Sequence, residues 1–200
     1  MAEVDDAVAA IRSGALAIVP TDTVYGLATT PHDEAAVGRL YAAKGRGAQQ
    51  PTALVASGLP QLLELLPELD GRPAAIARAL LPGPYTLIVP NPAERFAWLG
   101  GTRPDAIGVR VPAVRGAGAE VLARVGALVA TSANLPGGPD PRTLAAVPDV
   151  LRAAAAALVD GGELPGSPST VIDVTGEEPV VLREGAVTAA EALRTVASVL

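Results

Sequence analysis

Lys44, the only lysine in 200 residues, stands in the tripeptide Lys44-Gly45-Arg46, and every other fixed cation in the chain is an arginine. An ammonium is a compact, strongly hydrated point charge and a guanidinium a planar fork of donors, so the two side by side suit phosphate oxygens. The pair points to a nucleotide site; a solvated charge pair closing a helix is the alternative. Upstream runs a polar, turn-rich stretch, Pro20-Thr21-Asp22-Thr23-Val24-Tyr25-Gly26-Leu27. A second cluster, Thr131-Ser132-Ala133-Asn134 followed by Leu135-Pro136-Gly137-Gly138-Pro139, packs hydroxyls and an amide that offer a polar ligand both donors and acceptors. The same composition also closes a turn. A third cluster joins Asp160-Gly161-Gly162 to Pro165-Gly166-Ser167-Pro168-Ser169-Thr170; its glycines either let backbone approach a ligand or form a flexible loop. Arg110 lies inside the apolar run Ile107-Gly108-Val109-Arg110-Val111-Pro112. A lone buried guanidinium is costly, so it must reach an edge, an ion partner or a cleft, and a cleft is the reading adopted.

Other single residues read more plainly. His32, the only histidine, is an exposed turn residue rather than a general base. Asp22 stabilises a turn or orients a hydroxyl, Tyr25 packs, and Trp98, in the Pro-rich segment from Asn91 to Pro104, is a loop anchor or a lid element.

Hydrophobic periodicity supplies the elements that must position these groups. Val4, Ala7, Val8 and Ile11 recur at helical spacing over residues 3 to 13, and a buried strand follows from Ala15 to Val19. Thr21 to Leu27 reads as the connection from that strand's tip. Asp33 caps a helix through Ala43, leaving the Lys44 tripeptide just past the helix end, in a loop from Gly45 to Pro51. Strands are expected at Ala53 to Ala56, Tyr85 to Val89, Ile107 to Val111 and Ala127 to Ala130. Helices are expected at Gln61 to Leu66 and Ala74 to Leu81, separated by Pro67, Gly71 and Pro73, with another at Ala119 to Val125. A helical stretch from Thr143 to Ala157 leads into Leu158 and Val159. Strands at Thr170 to Val174 and Val180 to Leu182 precede a last helix, Thr188 to Val199, capped by Thr188. This alternation predicts one three-layer α/β domain over residues 1–200, and the closely spaced final strands argue for a mixed sheet. The polar clusters fall at strand tips, where open α/β sheets place their ligands.

Composition narrows the function classes. Half the residues are apolar but only 2% are aromatic, so the core is built from Ala, Val, Leu and Ile. A net charge of −6 speaks against broad electrostatic capture of nucleic acid. The absence of cysteine excludes disulfides and thiolate chemistry and fits a reducing cytoplasm. No run is long and apolar enough for a membrane span, and the acidic start lacks the features of a secretory signal, so a soluble cytoplasmic protein is expected. No carboxylate or histidine cluster has metal-ligand spacing.

Taken in order, the blocks PTDTVYGL, KGR, PGPYTLIV, VRVP, TSAN, PST and LREG, from about residue 12 to residue 187, resemble the YrdC/Sua5 family. These are the L-threonylcarbamoyladenylate synthases that begin N6-threonylcarbamoyladenosine modification of tRNA, and this chain is similar to the short, single-domain form. The resemblance implies a twisted sheet with an open, cationic cavity that takes ATP, L-threonine and bicarbonate and yields threonylcarbamoyl-AMP and pyrophosphate. It implies that Lys44 and Arg46 hold the triphosphate, with Gln50 in the same loop, and that Arg183 meets the nucleotide from the opposite side. Ser132 and Asn134 would line the nucleotide and carbamate region and join Lys44 and Arg46 as catalytic groups. Thr23 would contact threonine and Arg110 its carboxylate, while Ser169 and Thr170 would add hydroxyls to the same cavity. Mg²⁺ would be carried by ATP, and downstream threonylcarbamoyl-transfer proteins, and through them tRNA, would be the partners. Val55 stands where long-form relatives often have a histidine, Gln50 where asparagine is frequent, Pro136 and Asp140 at hydroxyl-bearing positions, and Glu184 at a usual proline. The rival readings are an RNA-binding module and a paralogue with different carbamoyl or nucleotide chemistry.

Overall fold

The computed structural model describes residues 2–47 and 49–199. Over them, short runs of Val, Ile, Leu and Ala broken by Gly and Pro build a sheet of nine strands. In chain order the elements are α1 (Ala2–Arg12), β1 (Ala17–Pro20), β2 (Tyr25–Thr29), α2 (Glu34–Lys44), β3 (Ala53–Ala56), α3 (Leu59–Leu65), α4 (Gly71–Leu80), β4 (Tyr85–Pro90), β5 (Ala106–Arg110), α5 (Gly116–Val125), β6 (Ala127–Ser132), α6 (Asp149–Ala154), β7 (Ala157–Leu158), β8 (Thr170–Asp173), β9 (Val180–Arg183) and α7 (Ala189–Ala197). The strand order is β7-β1-β2-β6-β3-β5-β4-β8-β9. The pairs β1–β7, β3–β5 and β4–β8 are parallel and the others antiparallel, so the sheet is mixed, as expected.

Strand alternation gives this sheet two unlike faces. In β4, Tyr85, Leu87 and Val89 are buried while Thr86, Ile88 and Pro90 are only half-buried. In β5, Ile107 and Val109 point with the first set, and Gly108 and Arg110 with the second. The first face meets α2, α3, α4, α6 and α7 in the larger core, around Leu40, Leu54, Leu62, Ile76, Leu87, Leu151 and Val196. On the second face α1 and α5 build a smaller core around Val8, Ile11, Val19, Val55, Leu122 and Leu128. Next to it, Gly108, the polar Arg110 and Thr86, and the apolar Val171 border a cavity.

Caps fix the helix ends near the site. Asp33 Oδ1 accepts from Ala35 N at 2.9 Å. Gly45 closes α2 with φ 64°, and its N–H and that of Arg46 return to Ala42 O and Tyr41 O. Lys44 is therefore the last residue of the helix instead of the first of the loop. Within the expected loop, Ala48 lies outside the described residues, as do the terminal Met1 and Leu200.

Three local expectations are corrected. The expected connection Thr21 to Leu27 contains half of a strand, because Tyr25 and Leu27 are fully buried and pair with β1. The turn shrinks to Thr21–Val24, where Thr21 Oγ1 accepts from Thr23 N and Val24 N and donates to Val24 O. The helix expected from Thr143 to Ala157 breaks at Pro148, which has no N–H for a helix interior. A 3₁₀ turn, Leu144–Ala146, and α6 replace it, and Ala157 joins β7 beside β1. Finally, α3 and α4 begin earlier than expected, because Pro60 and Pro73 sit in first turns where a missing N–H is harmless.

The packing of α5 on the sheet is close enough to test. At Gly118 an added Cβ would fall 2.3 Å from Pro20 O, whereas at the exposed, helical Gly38 it would meet nothing within 4 Å. Gly118→Ala is expected to cost about 1–3 kcal/mol, lowering Tm by about 2–4 °C per kcal/mol. Gly38→Ala should raise Tm slightly, through helix propensity. Calorimetry of both variants checks the pair; a neutral Gly118→Ala would contradict the α5–β1 contact.

Candidate active site

The contact that organises the site begins with Lys44. At 5% exposure its ammonium is withdrawn from water, and Nζ donates to Ser132 O, Asn134 O and Asn134 Oδ1. Three donors meet three acceptors, which a buried ammonium requires. The end of α2 is thereby stapled to the turn that follows β6. Asn134 is fully engaged as well: Ser132 Oγ donates to its Oδ1 at 2.7 Å, and its Nδ2 donates to Gly138 O at 2.7 Å and Asp140 Oδ1 at 3.3 Å. Burial and the nearby Arg46 push the Lys44 pKa from an ordinary 10.5 to about 8, with Asp140 pulling the other way.

Beyond Gly45 the chain reverses, and Arg46 extends to the cavity. Its Nη1 donates to Thr131 Oγ1 at 3.1 Å, its Nη2 to Pro51 O at 2.6 Å, and its Nε to Gln50 Oε1 at 3.0 Å. Gln50 thus acts on the site by holding Arg46.

Arg110, on the second face of β5, finds both the ion partner and the cleft. Its Nη2 donates to Asp22 Oδ1 and, at 2.8 Å, to Thr23 Oγ1, and Asp22 Oδ2 accepts from Ala113 N at 2.9 Å. Asp22 therefore ties the β1–β2 turn to the end of β5. The ion pair is well covered, with side-chain exposures of 12% and 8%. Arg110 Nε is buried with no hydrogen-bond partner among the described residues.

Facing this group, Arg183 donates through Nε and Nη2 to Ser169 O at 3.2 and 2.8 Å, and through Nη2 to Ser169 Oγ at 3.2 Å. Ser169 Oγ also shares a 2.8 Å hydrogen bond with Thr86 Oγ1. A cavity of about 430 Å³ is lined by Thr23, Arg46, Arg110, Ser132, Ser169 and Arg183 together.

Not every expected residue reaches that cavity. Lys44 and Asn134 stand behind Ser132 and hold the turn. Thr170 is corrected outright: strand alternation turns it to the same face as Ile172, fully buried. There its hydroxyl donates to Val187 O and accepts from Gly185 N and Val187 N. The Asp160-Gly161-Gly162 loop serves Tyr25, whose hydroxyl donates to Asp160 Oδ1 and Gly162 O and accepts from Gly161 N. Gly161 is needed there because a Cβ would fall 2.6 Å from Pro20 Cβ. Trp98 is an anchor, donating from Nε1 to Pro31 O at 3.2 Å.

Thr86 and Arg103, which sequence reasoning missed, also line the cavity, as do Thr21 and Thr131, which it named only as members of their polar stretches. Thr86 could have been found as the polar member of an alternating strand, and Thr131 as the neighbour of Ser132. Arg103 gave no local signal, since its partners Asp173 Oδ2 (3.0 Å) and Thr175 Oγ1 (3.2 Å) lie far along the chain.

Both the sequence and the overall fold match known proteins. The profile of the Sua5/YciO/YrdC family, described as Telomere recombination, matches residues 9–185. The chain belongs to that family. A threonylcarbamoyl-AMP synthase of Pyrococcus abyssi is 36% identical over 176 residues, covering 88% of this chain and 52% of the relative. One of Xanthomonas euvesicatoria is 36% identical over 162 residues, covering 80% of this chain and 86% of the relative. Among solved structures, P. abyssi Sua5 complexed with L-threonine superposes with a TM-score of 0.87 at 33% identity, over 98% of this chain and 58% of that one. E. coli YciO superposes with 0.82 at 27% identity, over 95% and 92%. The chain thus spans about half the length of the Pyrococcus relative it matches.

Because Lys44 is the only lysine, ¹³Cε-lysine labelling yields one side-chain resonance, whose midpoint is expected near 8 instead of 10.5. The folded pKa is depressed, so between those values the unfolded chain holds the proton more often. This group's contribution to stability therefore rises with pH across that window and is flat below it. A midpoint near the ordinary value would contradict the buried staple.

Proposed function

We propose that this chain is a threonylcarbamoyl-AMP synthase, converting L-threonine, bicarbonate and ATP into threonylcarbamoyl-AMP and pyrophosphate. The observation that carries this reading is the convergence of Thr23, Arg46, Arg110, Ser132, Ser169 and Arg183, from segments scattered along the sequence, on one cavity. The names of the relatives and the likeness to the threonine complex support it.

The reaction brings two anions together. The amino group of threonine forms a bond to the carbon of bicarbonate with loss of water; an oxygen of the resulting carbamate attacks the α-phosphorus, and the bond to pyrophosphate breaks. Such chemistry needs positioning and charge neutralisation more than a covalent nucleophile. Arg46 and the Ser132 hydroxyl would meet the phosphates, with Lys44 and Asn134 holding the turn that carries Ser132. Arg110, oriented by Asp22, would take the carboxylate of threonine beside Thr23, and Arg183 would approach the nucleotide from the far wall. Mg²⁺ would enter as part of the MgATP substrate, held by phosphate oxygens and water. Among the described residues no group of three or more His, Cys, Asp or Glu clusters as a metal site.

The product is a mixed anhydride, so a transfer protein that moves the threonylcarbamoyl group to tRNA must follow. Among the described residues no helix is long and apolar enough to cross a membrane. The cytoplasm, where tRNA is modified, is the setting this reading implies.

Pyrophosphate release is expected to require threonine and bicarbonate together. Arg46→Ala should lower kcat/KM by about 10²–10³, the usual loss of one preorganised donor, with the circular dichroism unchanged. Release that ignores threonine, or an unaffected Arg46→Ala enzyme, would refute the reading; salt-sensitive RNA binding without turnover would favour a binding module.

A further inference from the structure

The two edges of the nine-stranded sheet are finished differently. At one edge β7 has only two residues, neither of them exposed, and offers little ladder to a newcomer. At the other edge β9 pairs with β8 alone among the described residues, so the N–H and C=O groups on its outer side have no partner strand. An open ladder of this kind is a template for another extended chain. Its side chains are apolar as well, with Val180 53% and Leu182 56% exposed. The register against β8 sets Arg183 beside Val171 and Val181 beside Ile172, so Leu182 is an extra, bulged residue. Leu182 borders the cavity together with Arg183. A segment added to β9 would therefore lie along the rim of the cavity.

Charge indicates what that segment is. Glu177 and Glu178 stand exposed in the turn before β9, and the exposed Glu184 follows it. Glu184 Oε2 accepts from Ala189 N at 2.9 Å, and none of the three carboxylates joins an ion pair among the described residues. Arg183, the only cation of the strand, is turned to Ser169. A second copy of the chain fits this edge badly. Two β9 strands related by a twofold axis at Val181 would pair antiparallel, setting Glu178 of each against Glu184 of the other, and like charges in facing positions are destabilising. Pro179, which has no N–H to donate, stops that pairing from lengthening. A chain with small apolar residues at its centre and lysine or arginine at both ends matches the ladder, the apolar side chains and the flanking carboxylates together. We propose that β9 is a docking edge for a basic, extended segment of a partner protein, which adds to the sheet as a tenth strand.

The probe is the acetylated and amidated peptide Lys-Lys-Val-Thr-Val-Thr-Val-Lys-Lys, titrated into the full chain by fluorescence anisotropy, with amide hydrogen exchange locating the contact. Binding tighter than about 1 mM is expected, with protection of the β9 amides and weakening as salt rises. The same peptide with glutamate in place of every lysine should bind at least about tenfold more weakly. The original peptide should lose at least about the same factor on the Val180→Lys chain and on the Glu177→Lys/Glu178→Lys chain. No binding up to about 1 mM, equal binding of the lysine and glutamate peptides, affinity that the substitutions leave unchanged, or protection outside β9 overturns the inference. So does a chain that sediments as a dimer dispersed by Val180→Lys, since the occupant would then be a second copy. Turnover enters none of these readouts, so the proposed function stands or falls separately.

Discussion

A charged amine held out of water by three oxygens of a single turn is the contact on which this site depends. Withdrawing an ammonium from solvent costs several kcal/mol unless each proton finds an acceptor, and Ser132 O, Asn134 O and Asn134 Oδ1 provide them. The demand is reciprocal, because those oxygens stay paired only while the end of α2 remains docked beside β6. Gly45 then divides the labour of the tripeptide. Its left-handed conformation, at φ 64°, reverses the chain. The lysine is left facing inward as a structural tie, and the arginine is sent to the cavity wall.

The rest of the cavity follows from a mixed sheet covered unequally on its two faces. Helices fill the first face from β2 to β8, whereas α1 and α5 build only the smaller core of the second, around Val19, Val55 and Leu128. Residues that would be solvated on an ordinary open sheet are gathered here by their side chains. Asp22 pulls the β1–β2 turn onto the end of β5 through Arg110 and Ala113. Arg46 bridges the loop after α2 to Thr131, and Arg183 joins β9 to Ser169 ahead of β8. The bonds of Asp22 and Arg46 cross more than 80 positions of sequence, so that part of the cationic wall forms only in the folded chain.

What could be read from the sequence was what depends on local pattern. The mixed α/β class, the caps Asp33 and Thr188, and most strands follow from periodicity and capping chemistry, and the structure has them. The misses share a cause in tertiary structure. Tyr25 and Leu27 looked like part of a polar connection until β1 gave them a partner. At the site, Arg110 was legible because an arginine in an apolar strand needs an explanation, and Asp22 supplied half of it. Lys44 was legible as unusual, but its burial under the turn after β6 was not, since that requires knowing which strand lies beside α2. Thr170 shows the opposite failure: its parity with Ile172 was available, and the shared block with Ser169 obscured it. Arg103 was out of reach, because nothing near it in sequence foreshadows Asp173.

The solitude and burial of Lys44 also turn the folded chain into its own sensor. A protease specific for lysine has one address in this sequence, and the native packing hides it at the junction of helix and turn. Cleavage there requires that the junction come apart, at least transiently, so the rate of that single cut reports how often the two walls of the cavity separate.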